Sequence, residues 1–557
     1  MPLLRHASAS ALLLTVSLGG CTPTDQRAGG DGDVGGTLVI SAVAEAQALI
    51  PALAAATSTK QVTDQIFDAL AEIGPDLNTV GDGGWTPRLA SSWEWGADSL
   101  SITFHLDPRA RWHDGRPVTA SDVRFSVELY QDPKVVAYDA SNFANVDSIS
   151  VRDSVTAVAW FRERSPEQFF RFVYYLWVMP EHRLRDIDRA ALAQSEFARN
   201  PIGSGPFRFV RWEPRQVIEL VADSGHYRGR PKLDRVIFSL QRDVTPAMTA
   251  VLAGEADFRE VIPPDFVAPV AKSPEVRAVP YRSLNYGFLA FNQRARGSDT
   301  RPHPLFQSRE LRRALAMALD RRAMVQNLFD STGRLNLGPF TRGIAEADTT
   351  LPQIPYDTAA AQQLLDSLGW RDGNGDGVRE RQGTSLRFDL LVPTSSTPRR
   401  RLAVLLQEQL RRVGAAVDVR EADPSATQSL LETGQYDSYI HFVQTSPSAG
   451  SIRDGWTRPS PDRRIQNPTQ YGNRVVDAVV DSALAELDPV RRRMLLHRAY
   501  GLIAEDAPAV WLYEMIPFGV VNKRVRVVAD RADTWWRDLR LWWIPAAERI
   551  ARDRAGT

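Results

Sequence analysis

The chain has 557 residues, 43% of them apolar and 24% charged, with 67 basic and 67 acidic side chains. That composition is globular, and the length suggests two to four domains. Balanced charge offers no global attraction to nucleic acid, so a nucleic-acid-binding role is disfavoured. The arginine triplets at 399–401 and 491–493 sit in helical apolar patterns and read as solvated helix faces.

The N-terminus carries Arg5, then a run of small and apolar residues that stops at Cys21, the only cysteine. The run is shorter than the roughly 20 apolar residues a membrane span needs, and it has the length of a secretory leader. "LGGC" (Leu18–Cys21) resembles the bacterial lipobox, in which the cysteine is acylated and becomes the mature N-terminus. On this reading residues 1–20 are a lipoprotein signal peptide and Cys21 is the lipidation site. A lone cysteine forms no internal disulfide. Residues 21–36, rich in Gly and polar side chains, form a flexible linker to a body that starts near Thr37. The protein is expected to be exported and held at the periplasmic or cell surface by a lipid anchor, since two or more acyl chains hold firmly.

Further along, Leu100, Ile102, Phe104 and Leu106 alternate with polar residues, the period of a half-buried strand. A turn at "HDG" follows, then a helix with Thr119 as N-cap and Asp122 in the capping-box position. "GPFRFVRWEPRQVIELV" (Gly205–Val221) reads as two strands around "WEPRQ". From Ser308 onward helical stripes alternate with strands: Asp320 is placed to cap a helix, and Gly369 and Gly414 to end two others. This is an α/β pattern. Two apolar strand-like stretches, "LNYGFLAFN" (Leu284–Asn292) and "APAVWLYEMIPFGVV" (Ala507–Val521), bracket the second α/β region and read equally as hinge crossings or as core strands.

The segments "WTPRLASSWEW", "SITFHLDPRARWHDGRPVTASDVRFS", "NPIGSGPFRFVRWEP", "LNYGFLAFN", "LRRALAMALDRRAMV" and "YDTAAAQQLLDSLGWRDGNGDGVRERQG", in this order, resemble the family 5 extracellular solute-binding proteins of ABC transporters. That group holds oligopeptide-, dipeptide- and nickel-binding lipoproteins. The resemblance implies a two-lobed α/β fold of the periplasmic-binding-protein type (type II, cluster C). Lobe I is 37–287, with an extra subdomain at about 56–200, lobe II is 288–512, and 513–557 returns to lobe I. It also implies capture of a peptide or peptide-like solute between the lobes, delivery to an ABC permease with its ATPase subunits, no catalysis, and a monomer. The alternatives are a secreted hydrolase working through carboxylates such as Glu45 and Asp454, and a sensory binding protein for a non-peptide solute.

Peptide-binding members place an Asp after the "YD" strand to pair with the peptide amine; the matching place here falls near Ser446, which has no charge. Asp454, further along, is the substitute. Tyr138, Tyr286, Tyr439, Trp456 and Tyr513 lie in segments that face the cleft in the family, and Glu45 is in a loop placed to reach a ligand from the other lobe. His441 alternates with Tyr439 and is expected on the same strand face. Asp372, Asn374 and Asp376, followed by Gly377, open like an EF-hand calcium loop, with Glu380 at the ninth position. Gly383 stands where the twelfth-position Glu belongs. A Gly–Asp turn and a structural calcium site are the two readings; no other cofactor is expected. No HExxH, GxSxG or P-loop motif occurs.

Overall fold

The computed structural model describes residues 34–281, 283–459, 464–528, 531 and 533–554, so the leader and Cys21 lie outside the described residues. Among the described residues no helix is long and apolar enough to cross a membrane. The strands form three larger sheets of seven, six and four strands there.

The seven-stranded sheet runs in the order Val276–Pro280, Phe518–Asn522, Phe258–Arg259, Thr37–Ala42, Arg235–Leu240, Val217–Ala222, Phe207–Glu213. Thr37–Ala42 is parallel to both of its neighbours, and the other pairs are antiparallel. The four-stranded antiparallel sheet (Ala90–Trp95, Ser101–Leu106, Thr156–Phe161, Val146–Asp153) packs into the same hydrophobic core. Ile102, Phe104 and Leu106 are buried, as their alternation predicts. The helix Ala120–Gln131 begins with the expected capping box, both reciprocal Thr119–Asp122 contacts being present. His113 in the preceding turn clamps a distant loop: its Nδ1 accepts from Gly203 N at 3.3 Å, and Nε2 lies 3.0 Å from the Gly205 carbonyl. A Cβ at Gly203 would come 1.8 Å from the Ile66 carbonyl oxygen, so only glycine lets these backbones meet. The C-terminal segment returns to this body. Trp536 Nε1 donates to Asp64 at 2.8 Å, and Asp553 accepts Thr37 N at 2.8 Å.

The six-stranded sheet has the order Gly333–Leu335, Ala509–Met515, Asn285–Phe291, Ser438–Gln444, Arg387–Pro393, Ala416–Ala422. Both of its faces are covered. Tyr286, Phe288 and Ala290 belong to one core, and Leu289 and Phe291 to another. The chain passes between the two large sheets twice, between Pro280 and Asn285 and between Met515 and Phe518. Positions 287/288 and 512/513, where the sequence divides the lobes, therefore fall inside strands of the six-stranded sheet, because the apolar runs continue unbroken through them.

Candidate functional site

Where the chain crosses between the sheets, a cavity of about 530 Å³ opens between the two bodies. The first body contributes Lys60, Tyr138, Tyr175, Glu260 and the Asp533–Trp536 segment; the second contributes Gln444 to Pro447; Ser283, Leu284 and Pro517 of the two passages also line it. A second cavity of about 280 Å³ shares Gln444, Thr445 and Ser446 and continues into the second body past Tyr286, His441, Asp454 and Trp456.

Ser446 thus sits where the two cavities meet, beside the Tyr175 hydroxyl of the opposite body. Tyr138 is 64% exposed at the rim, with Lys60 Nζ 5.5 Å from its ring centroid. Lys60 also pairs with Asp139 at 3.2 Å. Tyr286 is buried with its hydroxyl next to Trp456, and burial raises its pKa well above the ordinary tyrosine value. Trp456 packs on Trp511 at 4.8 Å. His441 stands edge-on to Phe288 at 5.2 Å and 5.4 Å from Tyr439, so the two do share a strand face. Burial, with the Arg399 charge adding to it, pushes the His441 pKa down to about 3. The deep end of the site is therefore aromatic and uncharged at His441.

Three expected residues lie elsewhere. Tyr439 is buried against Leu391 and Tyr436, and its hydroxyl is 3.3 Å from Arg399 Nη1; it lines neither cavity. Tyr513 packs on Phe329 at 4.4 Å in the opposite core. The cause is a bulge: Gly287 pairs with Tyr513 and the next residue, Phe288, with Trp511, so Trp511 and Tyr513, two apart, point to opposite faces. A Cβ on Gly287 would come within 2.4 Å of the Tyr513 ring. Glu45 lines a separate hollow of the first body, where its carboxylate accepts Arg215 N at 2.8 Å and lies 3.6 Å from Arg242. Glu45 and Asp454 hence face different cavities.

In the Asp372 loop the side chains serve the backbone. Asp372 accepts from Gly375 N and Gly377 N at 2.7 and 2.9 Å, Asp376 accepts from Val378 N, and Glu380 accepts from Gly373 N. Among the described residues no group of three or more His, Cys, Asp or Glu is placed to hold a metal.

Sequence reasoning missed the contacts that join the bodies away from the passages. Glu167, at the start of the helix Gln168–Tyr175, accepts from Arg492 Nη2 at 2.7 Å and from Ser448 Oγ at 2.7 Å. Arg492 and Ser448 belong to the second body; Thr79 of the first donates to the same carboxylate at 3.0 Å. Glu167 is 3% exposed and Arg492 1%.

The model of the bacterial extracellular solute-binding proteins, family 5, matches residues 84–460. The chain belongs to this family. It is 25% identical over 514 residues to the oligopeptide-binding protein AppA of Bacillus subtilis, covering 90% of this chain and 91% of the relative. The structure of that AppA in complex with a nonapeptide superposes with a TM-score of 0.73 at 23% identity, covering 92% and 99% of the two chains. Campylobacter jejuni NikZ in complex with Ni(L-His) gives 0.74 at 22%, covering 91% and 99%. The fold is thus the two-lobed one of periplasmic binding proteins, with the body of the seven-stranded sheet as lobe I and that of the six-stranded sheet as lobe II.

Proposed function

We propose that this protein is the lipid-anchored solute-binding subunit of an ABC importer, which captures a peptide or peptide-like solute between its lobes and hands it to the permease without altering it. The observation that carries this reading is the cleft lined from both lobes at the two chain passages. Contacts from both sides couple binding to closure, because a ligand shifts a conformational equilibrium only through its differential affinity. The peptide class is supported by the oligopeptide-binding relative. A cleft of about 530 Å³ falls in the roughly 300–1,000 Å³ range of small-ligand sites, which favours a short peptide. The separation of Glu45 from Asp454 supports binding over carboxylate-assisted hydrolysis.

A bound short peptide should stabilise the protein by mass action, by about 2.7 kcal/mol at a hundredfold excess over Kd, so that its melting temperature rises, and should be recovered intact by mass spectrometry. Cleavage of the peptide by the pure protein would support the hydrolase instead. The anchor is tested separately: Cys21→Ser should move the protein from the membrane to the soluble fraction, because acyl chains on Cys21 are the proposed source of lipid affinity. Unchanged fractionation would defeat the lipidation reading.

A further inference from the structure

The charges around the cleft are matched with one exception. Lys60 is paired with Asp139 at 3.2 Å. Asp533 is held by Arg531, with Nε to Oδ1 at 2.9 Å, and by the Tyr174 hydroxyl at 2.7 Å. Glu260 lines the same cleft and has no ammonium or guanidinium within ion-pair distance among the described residues. Its sequence neighbour Arg259 is turned to Ser41, whose Oγ accepts at 2.9 Å. What Glu260 does have is a neutral donor, Gln61 Nε2 at 2.8 Å, and the Trp535 indole close by.

The backbone fixes this side chain in place. Glu260 follows directly on the strand Phe258–Arg259, and its carbonyl accepts from the Tyr281 hydroxyl at the start of the first passage. The Glu260 carboxylate is hydrogen-bonded by a neutral donor and feels the Arg259 charge only from beyond ion-pair distance, so it keeps most of its desolvation cost, and burial raises its pKa accordingly. A cation entering the cleft would offset that cost with a charge-assisted bond. The second-lobe wall of the cleft supplies the uncharged Ser446.

We propose that Glu260 is the specificity-determining anion of the cleft, pairing with a primary ammonium or guanidinium of the solute from the lobe I side. This rests on the cleft being the solute site, and the solute then lies with its cationic end toward lobe I and its remainder toward Ser446 and the aromatic cavity.

The test uses the full chain in detergent and a set of tripeptides made as pairs, free-amine and N-acetylated, with and without a Lys or Arg residue, titrated calorimetrically. Wild type should bind members bearing a cationic group at least tenfold tighter than their acetylated, cation-free counterparts. Glu260→Gln should bring that ratio close to one, and Glu260→Asp should restore part of it. Ser446→Trp, which fills the junction of the cavities, serves as the control for the site. If Ser446→Trp abolishes binding while Glu260→Gln leaves the ratio unchanged, the cleft stands and the role of Glu260 is overturned. If Ser446→Trp binds as wild type does, the cleft is not the site and both readings fall. Failure of every cationic member to bind wild type at millimolar concentration also overturns the proposal, because the cleft then does not take the chemistry named.

Discussion

At the scale of single residues, His441 shows what burial does to a titratable group in this site. Its folded pKa of about 3 lies below the ordinary 6.5, chiefly because the ring is desolvated. Between those values the unfolded chain takes up a proton that the native protein refuses. Stability is therefore fully present above about pH 6.5 and falls as the pH drops toward 3, by up to about 1.4 kcal/mol per pH unit from this group. His113, pushed down to about 4 by burial, acts in the same direction, so the informative quantity is the difference between variant and wild type. His441→Phe, which keeps an aromatic ring against Phe288, should lose less melting temperature between pH 7 and pH 5 than wild type. Parallel losses in the two proteins would mean that His441 takes up its proton in the folded state as readily as in the unfolded one.

At the scale of elements, local signals carried most of the fold. The Thr119–Asp122 capping box forms, Asp320 accepts from Ala323 N at the start of the helix Arg321–Phe329, and Gly369 and Gly414 end their helices at φ of +83° and +80°. Each depends on residues a few positions apart, so the sequence displays them directly. The strands of the six-stranded sheet are different. Ala509–Met515 is buried at nearly every position, and a strand covered on both faces has no apolar alternation from which to assign its sides. Ala507–Val521, a single apolar stretch in the sequence, is two strands in two sheets, and the bulge opposite Gly287 and Phe288 reverses Tyr513 relative to Trp511. Tyr138, Tyr286, Ser446, Asp454 and Trp456 follow from the family resemblance and His441 from its alternation with Tyr439; all six line one or other of the two cavities whose solute-binding role is proposed above. Glu260 and Glu167 were not, since their partners Gln61 and Arg492 lie 199 and 325 positions away and no local pattern marks either acid.

At the scale of the whole molecule, the two lobes are joined by the chain passages and, far from them in sequence, by Glu167 with Arg492 and Ser448. A lone buried ion pair is weak support for stability, because desolvation consumes much of its attraction. On the binding role proposed above, with the arrangement seen here taken as the closed one, this pair bears on closure. When the lobes part, Glu167 keeps Thr79 and Arg492 keeps Glu346, 3.9 Å away in its own lobe, so neither group is stranded in the open form. In the arrangement seen here both are sealed from water, and removing the Glu167 charge leaves Arg492 buried with only the more distant Glu346 carboxylate, 3.9 Å away, as a counter-charge. Glu167→Gln should thus penalise the closed form selectively, by about 1–3 kcal/mol, which corresponds to a fall of roughly 5- to 150-fold in solute affinity. The mechanism is a smaller fraction of binding-competent protein, so solute-free Glu167→Gln should also scatter X-rays as a more open particle than wild type. Arg492→Met in the Glu167→Gln background removes the guanidinium that has lost its nearer counter-charge and should recover part of the affinity. Unchanged affinity and unchanged scattering in Glu167→Gln would show that the pair forms without favouring closure, and a loss of affinity that Arg492→Met deepens would point to packing around Arg492 in place of charge.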